Sequence, residues 1–501
     1  MSAPAAGRAC IAALDVGTTA VKACLFTPGL KLLACSVQEY ALHTQNGRVE
    51  ADGDVYLAAA ARGMAAALAA APGWRPAALG LATQGETLAP VDADGWPLRP
   101  FLVWLDGRAQ AQAGQLARAL PGQAFYQATG LPEITGALPL AKALWLRREE
   151  PETFARAEKI LLLEDWLLYW LTGRFVAEPS LHTSSGWFHL GRDGWWDEAL
   201  DAAGLPADKL PQLIGCGAVA GPLLAGPASA LGLPAGIPVC AGAMDQAAAA
   251  LAAGCTEPGA VTETTGTALV AAACTDAPVF AGPQAHHVTI YRHALPGKFL
   301  YLPIGNTAGM ALRWFRDQFC PDLPAGGAGY AALDALAAAV PPGCGGLVFL
   351  PFLAGSVDPD TCPEARAAFF GAGLSTGRAH FARAVLESVA FLLRDFFALL
   401  EDLGCPVRQV RSLGGGASRA LWMQIKADVC ARPFTVPGCA EATAMGAALL
   451  AGWGTGLIAP GQLPESGQAA RYAPGPAAGA YEDAYRLYKA LYAAVRPLFR
   501  P

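Results

Sequence analysis

The 501-residue sequence contains no Cys-x-x-Cys pair, no excess of basic residues and no long apolar run. Each absence closes a class of function. The thirteen cysteines are odd in number and scattered from Cys10 to Cys439, which argues against a zinc site or a disulfide framework. Cys24, Cys240 and Cys274 sit in apolar stretches, where a free thiol behaves as a small hydrophobe, so a reducing compartment, the cytoplasm, is expected. A formal net charge of −6 offers no basic surface to nucleic acid or an anionic membrane, and neither is expected as a partner. No segment approaches the ~20 apolar residues of a membrane span. Asp15 interrupts the N-terminal apolar run too early for a signal peptide.

What remains is a composition of 53 % hydrophobic and 15 % charged residues, that of a well-buried globular chain. Its length suits about two or three domains. Residues 11–16 and 21–26 read as two strands joined by the turn Gly17-Thr18-Thr19, and 55–71 as an Ala-rich helix. Residues 78–83 read as a buried strand and 101–104 as a short one; 140–149 and 161–171 carry helical apolar spacing. A second half begins near Gly254, where 262–273 repeat the hairpin theme around Gly266, hinting at duplication. Further on, a strand at 407–413 runs into three glycines and a helix, and 481–498 form a closing amphipathic helix. Strands alternating with helices imply an α/β fold.

Four motifs carry chemistry. Asp245 follows an apolar strand and precedes Gln246 and an Ala-rich helix, a setting with room for a substrate hydroxyl. It could equally be an ordinary helix cap. Thr264-Thr265-Gly266-Thr267 offers backbone amides and hydroxyls to phosphate oxygens, and a base beside a phosphate cradle is the minimum apparatus of a kinase acting on an alcohol. Asp15-Val16-Gly17-Thr18-Thr19-Ala20-Val21-Lys22 combines a carboxylate that could face magnesium, a tight turn and a cation, without Walker spacing. A plain hairpin turn is the alternative. Gly414-Gly415-Gly416-Ala417-Ser418 lets a flat ring approach bare backbone, or else is a flexible connector.

In order and spacing these motifs resemble the FGGY carbohydrate kinases, as do Thr307-Ala308-Gly309 with Arg313 and residues 369–391; the likeness runs from about residue 11 to 450. The resemblance implies two actin-like, ribonuclease-H-like ATPase domains with a cleft between them, assigned here as 1–247 and 248–501. It implies ATP and Mg²⁺ as cofactors and a small sugar or polyol as substrate, phosphorylated at a terminal hydroxyl. By the same resemblance Asp245 is the general base, and Asp15 and Asp245 attend the metal. Gly17, Thr18, Thr19 and Lys22 fall near the β/γ-phosphates. Thr265, Gly266 and Thr267 touch the transferred phosphoryl group, and Gly309 with Gly414, Gly415, Gly416 and Ala417 the adenosine. Gln84, Glu86, Thr87, Trp104, Asp245 and Gln246 fall on hydroxyl-binding positions, although Trp104 alone could be core and Glu86 a solvated loop acid.

Departures concern the substrate. Gly85 stands where glycerol kinase has an arginine and Ala137 where it has a tyrosine, which implies a roomier pocket and an acceptor larger than glycerol. Ala268 replaces the second glycine of the Gly-Thr-Gly turn, and the signature around Lys142 and Trp145 is only partly matched. An actin-like ATPase, or a sugar-sensing protein without kinase activity, is the alternative from another class. A homodimer is expected.

Overall fold

The structure, a computed structural model, describes residues 8–280, 288–438, 441–464 and 470–499. Cys439 lies outside them, as do the outer bounds 1 and 501 of the expected domains; the described cysteines are free. The chain divides into two compact units. One comprises Met1–Thr256, Thr289–Leu300 and Cys439–Glu465, the other Glu257–Val288, Tyr301–Gly438 and Ser466–Pro501. Two segments from beyond residue 247 thus cluster with the N-terminal part of the chain.

The first unit is built on a six-stranded sheet in the order Val219–Pro222, Pro238–Met244, Trp74–Thr83, Arg8–Val16, Ala20–Phe26, Leu32–Glu39. Arg8–Val16 is buried from Cys10 onward, as a central strand covered on both faces must be. It pairs in parallel with Trp74–Thr83 and antiparallel with Ala20–Phe26, and the Gly17 amide closes the hairpin on the Ala20 carbonyl at 3.0 Å. The expected helix at 55–71 is present as Gly53–Ala70. The helix expected at 161–171 begins only at Leu163. Leu161 and Leu162 belong to the strand Lys159–Leu162, because an all-apolar Ile-Leu-Leu-Leu run fits a buried strand as well as a helix.

The second unit repeats the plan. Leu269–Thr275, Ala260–Thr265, Gln409–Leu413, Phe434–Val436 and Ala470–Tyr472 lie side by side. The first pair is antiparallel, the next two are parallel and the last is antiparallel. In each unit, therefore, the hairpin's first strand begins a run of three parallel strands, and the sheet ends on an antiparallel edge. The duplication that two short Gly-Thr motifs hinted at is a property of the topology.

One helix, Ala442–Thr455, lies directly on the first unit's sheet because its residues are small. A Cβ on Gly80 would stand 2.2 Å from the Ala447 carbonyl oxygen, and one on Gly446 would stand 2.1 Å from that of Ala248. Contacts that close leave no room for a side chain. Gly446→Val is expected to destabilise the protein by about 1–3 kcal/mol, read as a lowered midpoint in urea unfolding, while substitution at the open Gly456 position by Asn has little effect.

Candidate active site

In the first unit, three carboxylates gather where strands end. Asp15 closes the strand Arg8–Val16 and is 8 % exposed. Its register partner is Lys22, whose Nζ lies 3.9 Å from its Oδ2 and 2.5 Å from Glu441 Oε2. Desolvation outweighs the lysine and raises the Asp15 carboxyl to about 7, with Asp245 and Glu441 contributing in the same direction. Asp245 opens the helix Asp245–Ala252. The cap position belongs to Met244, so Asp245 is not the ordinary helix cap that sequence allowed. Its Oδ1 accepts the neighbouring Gln246 N–H at 2.6 Å, and burial raises its carboxyl to about 6 against the hydrogen bonds of the Gln246 backbone and side chain.

Glu86 is the third. It takes a left-handed backbone conformation (φ 61°), uncommon for a residue with a side chain. Beneath it Lys142, fully buried, donates to the Glu86 carbonyl at 3.2 Å and the Val103 carbonyl at 2.9 Å, holding the loop in that conformation. Burial lifts Glu86 to about 7 against the pull of Lys142, and Asp245 adds to the rise. Glu86 is half-buried rather than a freely solvated loop acid. Trp104 is 38 % exposed, not core, and donates its indole N–H to Thr18 Oγ1 at 2.8 Å. Thr87 is fully buried and its hydroxyl accepts the Trp104 amide at 3.1 Å, so it braces the tryptophan. Gln84 is also buried; neither amide atom has a hydrogen-bond partner of good geometry among the described residues. The room expected from Gly85 is partly filled, since Ser184 Oγ stands 3.0 Å from where a Cβ would be.

The second unit holds a cavity of about 560 Å³ lined by Thr265, Gly266, Thr267, Gly309, Gly415 and Gly416, among others. Gly414 and Ala417 flank that lining rather than join it. The glycines are needed: a Cβ on Gly309 would lie 2.3 Å from the Gly266 oxygen, and one on Gly416 2.6 Å from Thr265 Cβ. Arg419, held by Asp334, lies over the Tyr330 and Trp422 rings at 5.3 and 5.4 Å, giving the cavity a flat aromatic and cationic wall. Thr265 Oγ1 is already engaged: it accepts from buried Lys426 at 2.6 Å and donates to Glu263 Oε2 at 2.9 Å.

Sequence reasoning gathered Asp15, Glu86, Trp104, Asp245 and Gln246 in one unit and the glycine loops in the other. It missed Glu441, which occupies Lys22, and it gave Lys142 no role. Tyr291 was also missed: its buried phenol is pushed well above its ordinary range by desolvation, with Glu86 and Asp245 adding to the rise. A lone lysine amid Leu140-Ala141 and Ala143-Leu144 was the one available signal for Lys142. Nothing in the chain's order announces Tyr291 or Glu441.

The acids suit a magnesium ion that arrives with a nucleotide. No group of three or more His, Cys, Asp or Glu among the described residues could hold a metal alone. Mg²⁺ characteristically takes one or two carboxylates and completes its shell with phosphate and water. Asp15 and Asp245, desolvated and short of positive charge, are such a pair.

Known proteins share this architecture. Residues 10–252 match the model of the FGGY family of carbohydrate kinases, N-terminal domain, and 261–455 that of its C-terminal domain. A gluconokinase of Bacillus licheniformis is 29 % identical over 455 residues, 89 % of this chain and 87 % of its own length. A glycerol kinase of Myxococcus xanthus is 33 % identical over 469 residues, 89 % and 91 % of the two chains. The crystal structure of a xylulose kinase from Rhodospirillum rubrum superposes with a TM-score of 0.86 at 31 % identity, covering 98 % of this chain and 99 % of that one. The fold is accordingly α/β with two actin-like domains. Among the described residues no helix is long and apolar enough to cross a membrane.

The raised carboxyl of Asp245 has a thermodynamic consequence. Folded protein binds this proton more tightly than unfolded chain, so its contribution to stability is full below about pH 4 and is lost as pH rises through about 6. Asp245→Asn is expected to be more stable than the parent by about 1–3 kcal/mol at pH 8 and equal to it at pH 4. Thermal unfolding at the two pH values checks this.

Proposed function

The chain belongs to the FGGY family of carbohydrate kinases, and on that premise we propose that its first unit presents a terminal hydroxyl of a small sugar, ketose or polyol to ATP, with Asp245 as the base. One observation supports this above the others. A desolvated carboxylate with a single hydrogen-bond partner opens a helix beside a second acid, Glu86, and an amide, Gln246, able to hold hydroxyls. A base poised near 6 is ionised at neutral pH yet still attracts a proton. ATP binds through the glycine-lined cavity of the second unit, its rings against the Arg419 wall and its phosphates toward the backbone of Gly266 and Thr267.

The step uses each of these parts. Asp245 draws the proton from the acceptor hydroxyl as the oxygen forms its bond to the γ-phosphorus, and the bond to the β-phosphate oxygen breaks to release ADP. Magnesium held by Asp15, with Asp245 beside it, supplies neutralising charge to the phosphates when bound. Gly17, Thr18 and Thr19 present their turn to the β/γ-phosphates. Lys22 reaches them only by leaving Glu441. Trp104 gives an apolar face to the acceptor's C–H groups, and Gln84 and Thr87 act from below by shaping that wall. Expulsion of water from around the reacting groups keeps hydrolysis from competing.

We infer that the enzyme works in the cytoplasm, where its free thiols persist, and as a homodimer, the commonest closed assembly. The reading is tested by ADP release with a panel of polyols, ketopentoses, ketohexoses and sugar acids. At least one acceptor should raise ADP release well above the acceptor-free rate, and Asp245→Asn should lower that turnover roughly 10²–10⁴-fold with ATP affinity little changed. ADP release indifferent to every acceptor, or near-normal turnover in the variant, refutes it.

A further inference from the structure

The strand that delivers Asp245 is irregular one turn before it ends. Between Cys240 and Ala243 the register against Trp74–Thr83 slips, so that three steps along Pro238–Met244 answer two along its neighbour, Cys240 facing Gly80 and Ala243 facing Ala82. A bulge of this kind inserts an unpaired residue and re-aims the side chains beyond it. The residue at the slip is Gly242. A Cβ there would lie 1.4 Å from the Leu81 carbonyl oxygen, so only glycine fits.

The Gly242 amide freed by the bulge is met by a side chain. It donates to Glu164 Oε1 at 2.7 Å, and Glu164 is completely buried at the start of the helix Leu163–Thr172. Two residues on, the Met244 amide donates to Ser180 Oγ at 3.0 Å. That hydroxyl donates in turn to Glu178 Oε1 at 2.9 Å, and Glu178 also takes the amides of Ser180 and Leu181, both at 2.6 Å, and the Cys216 thiol at 2.9 Å. Glu178 is thus surrounded by donors, which offset part of the rise that burial imposes on its carboxyl. Glu164 has a second oxygen without a partner among the described residues, and burial beside Glu178 holds its proton on. A neutral acid can accept the Gly242 amide without placing another negative charge behind the strand.

We propose that Glu164 and Ser180 are positioning residues: by taking the amides of Gly242 and Met244 they fix the bulge and set the direction in which Asp245 faces its substrate. This rests on Asp245 acting as the base. Two buried acceptors on separate helices hold the last residues of one strand, at the slip and just beyond it. Ordinary sheet pairing would serve if only the fold were at stake. A base must be held within about 0.5 Å of its working geometry, and a misplacement near 1 Å costs on the order of 10²-fold in rate.

The test compares Glu164→Gln, whose amide oxygen can accept the same N–H without charge, with Glu164→Leu, which cannot, and with Ser180→Ala. Crystal structures report the Asp245 carboxylate, and steady-state kinetics use whichever of glycerol, D-xylulose and D-gluconate turns over fastest in the parent. Glu164→Leu and Ser180→Ala should displace the carboxylate and lower kcat roughly 10–100-fold with the KM for ATP within twofold. Glu164→Gln should restore both position and rate. If Glu164→Leu does not fold, Ser180→Ala and Glu164→Gln decide alone. An unmoved carboxylate, an unchanged kcat, or a Gln variant as slow as the Leu variant overturns the proposal. Asp245→Asn is run alongside: if it turns over normally, the assignment of the base has failed instead.

Discussion

Carboxylates brought out of water without matching positive charge are the constraint around which the first unit is arranged. Asp15, Glu86 and Asp245 are each raised by about two to three units above their ordinary values, and burial is the leading cause in each case. Such an arrangement is unfavourable on its own, since every desolvated charge disfavours its ionised state. The neighbouring cations relieve it only in part. Lys142 is spent on two backbone carbonyls and Lys22 on Glu441. Relief comes from a ligand that brings cations and hydroxyl donors, and a site of this kind gives up intrinsic stability to gain affinity for the charge its substrate complex carries.

The scaffold around these acids is closely packed. Small residues let backbone approach backbone: Gly80 against Ala447, Gly446 against Ala248, Gly242 against Leu81. The second unit uses the same device for another purpose, with Gly309 against Gly266 and Gly416 against Thr265 shaping the cavity wall. In one unit glycine lets elements pack, and in the other it lets a ligand approach. The shared sheet plan carries both uses, because in each unit the hairpin's first strand and the next two strands of the sheet run parallel.

How much of this was legible from the sequence varies with how local the cause is. The hairpins, the glycine run and the base stand out because a turn, a close approach and an Asp after an apolar strand are written in a few adjacent residues. Leu161 and Leu162 were read as the start of a helix, and belong to a strand, because a short apolar run has no period to speak of. Glu86 and Trp104 were found, but what they are doing depends on partners far along the chain: Lys142 below one, Thr18 beside the other. Glu441 and Tyr291 were invisible, since each reaches the first unit from a segment that the order of the sequence assigns to the second. The slip at Gly242 left no trace either. One glycine among fifty-seven does not announce a bulge.

The helix Ala442–Thr455 carries a consequence for how the protein is made. It rests on Trp74–Thr83, Arg8–Val16 and Pro238–Met244, strands synthesised far earlier, and its arrival also brings Glu441 to Lys22. A nascent chain emerging from the ribosome therefore carries a sheet with that face uncovered until translation has passed residue 455. During that interval the face carrying Ile11, Ala13, Ala78 and Gly80 is open to wrong partners, a hazard set by the chain's path rather than by any weakness of its finished core.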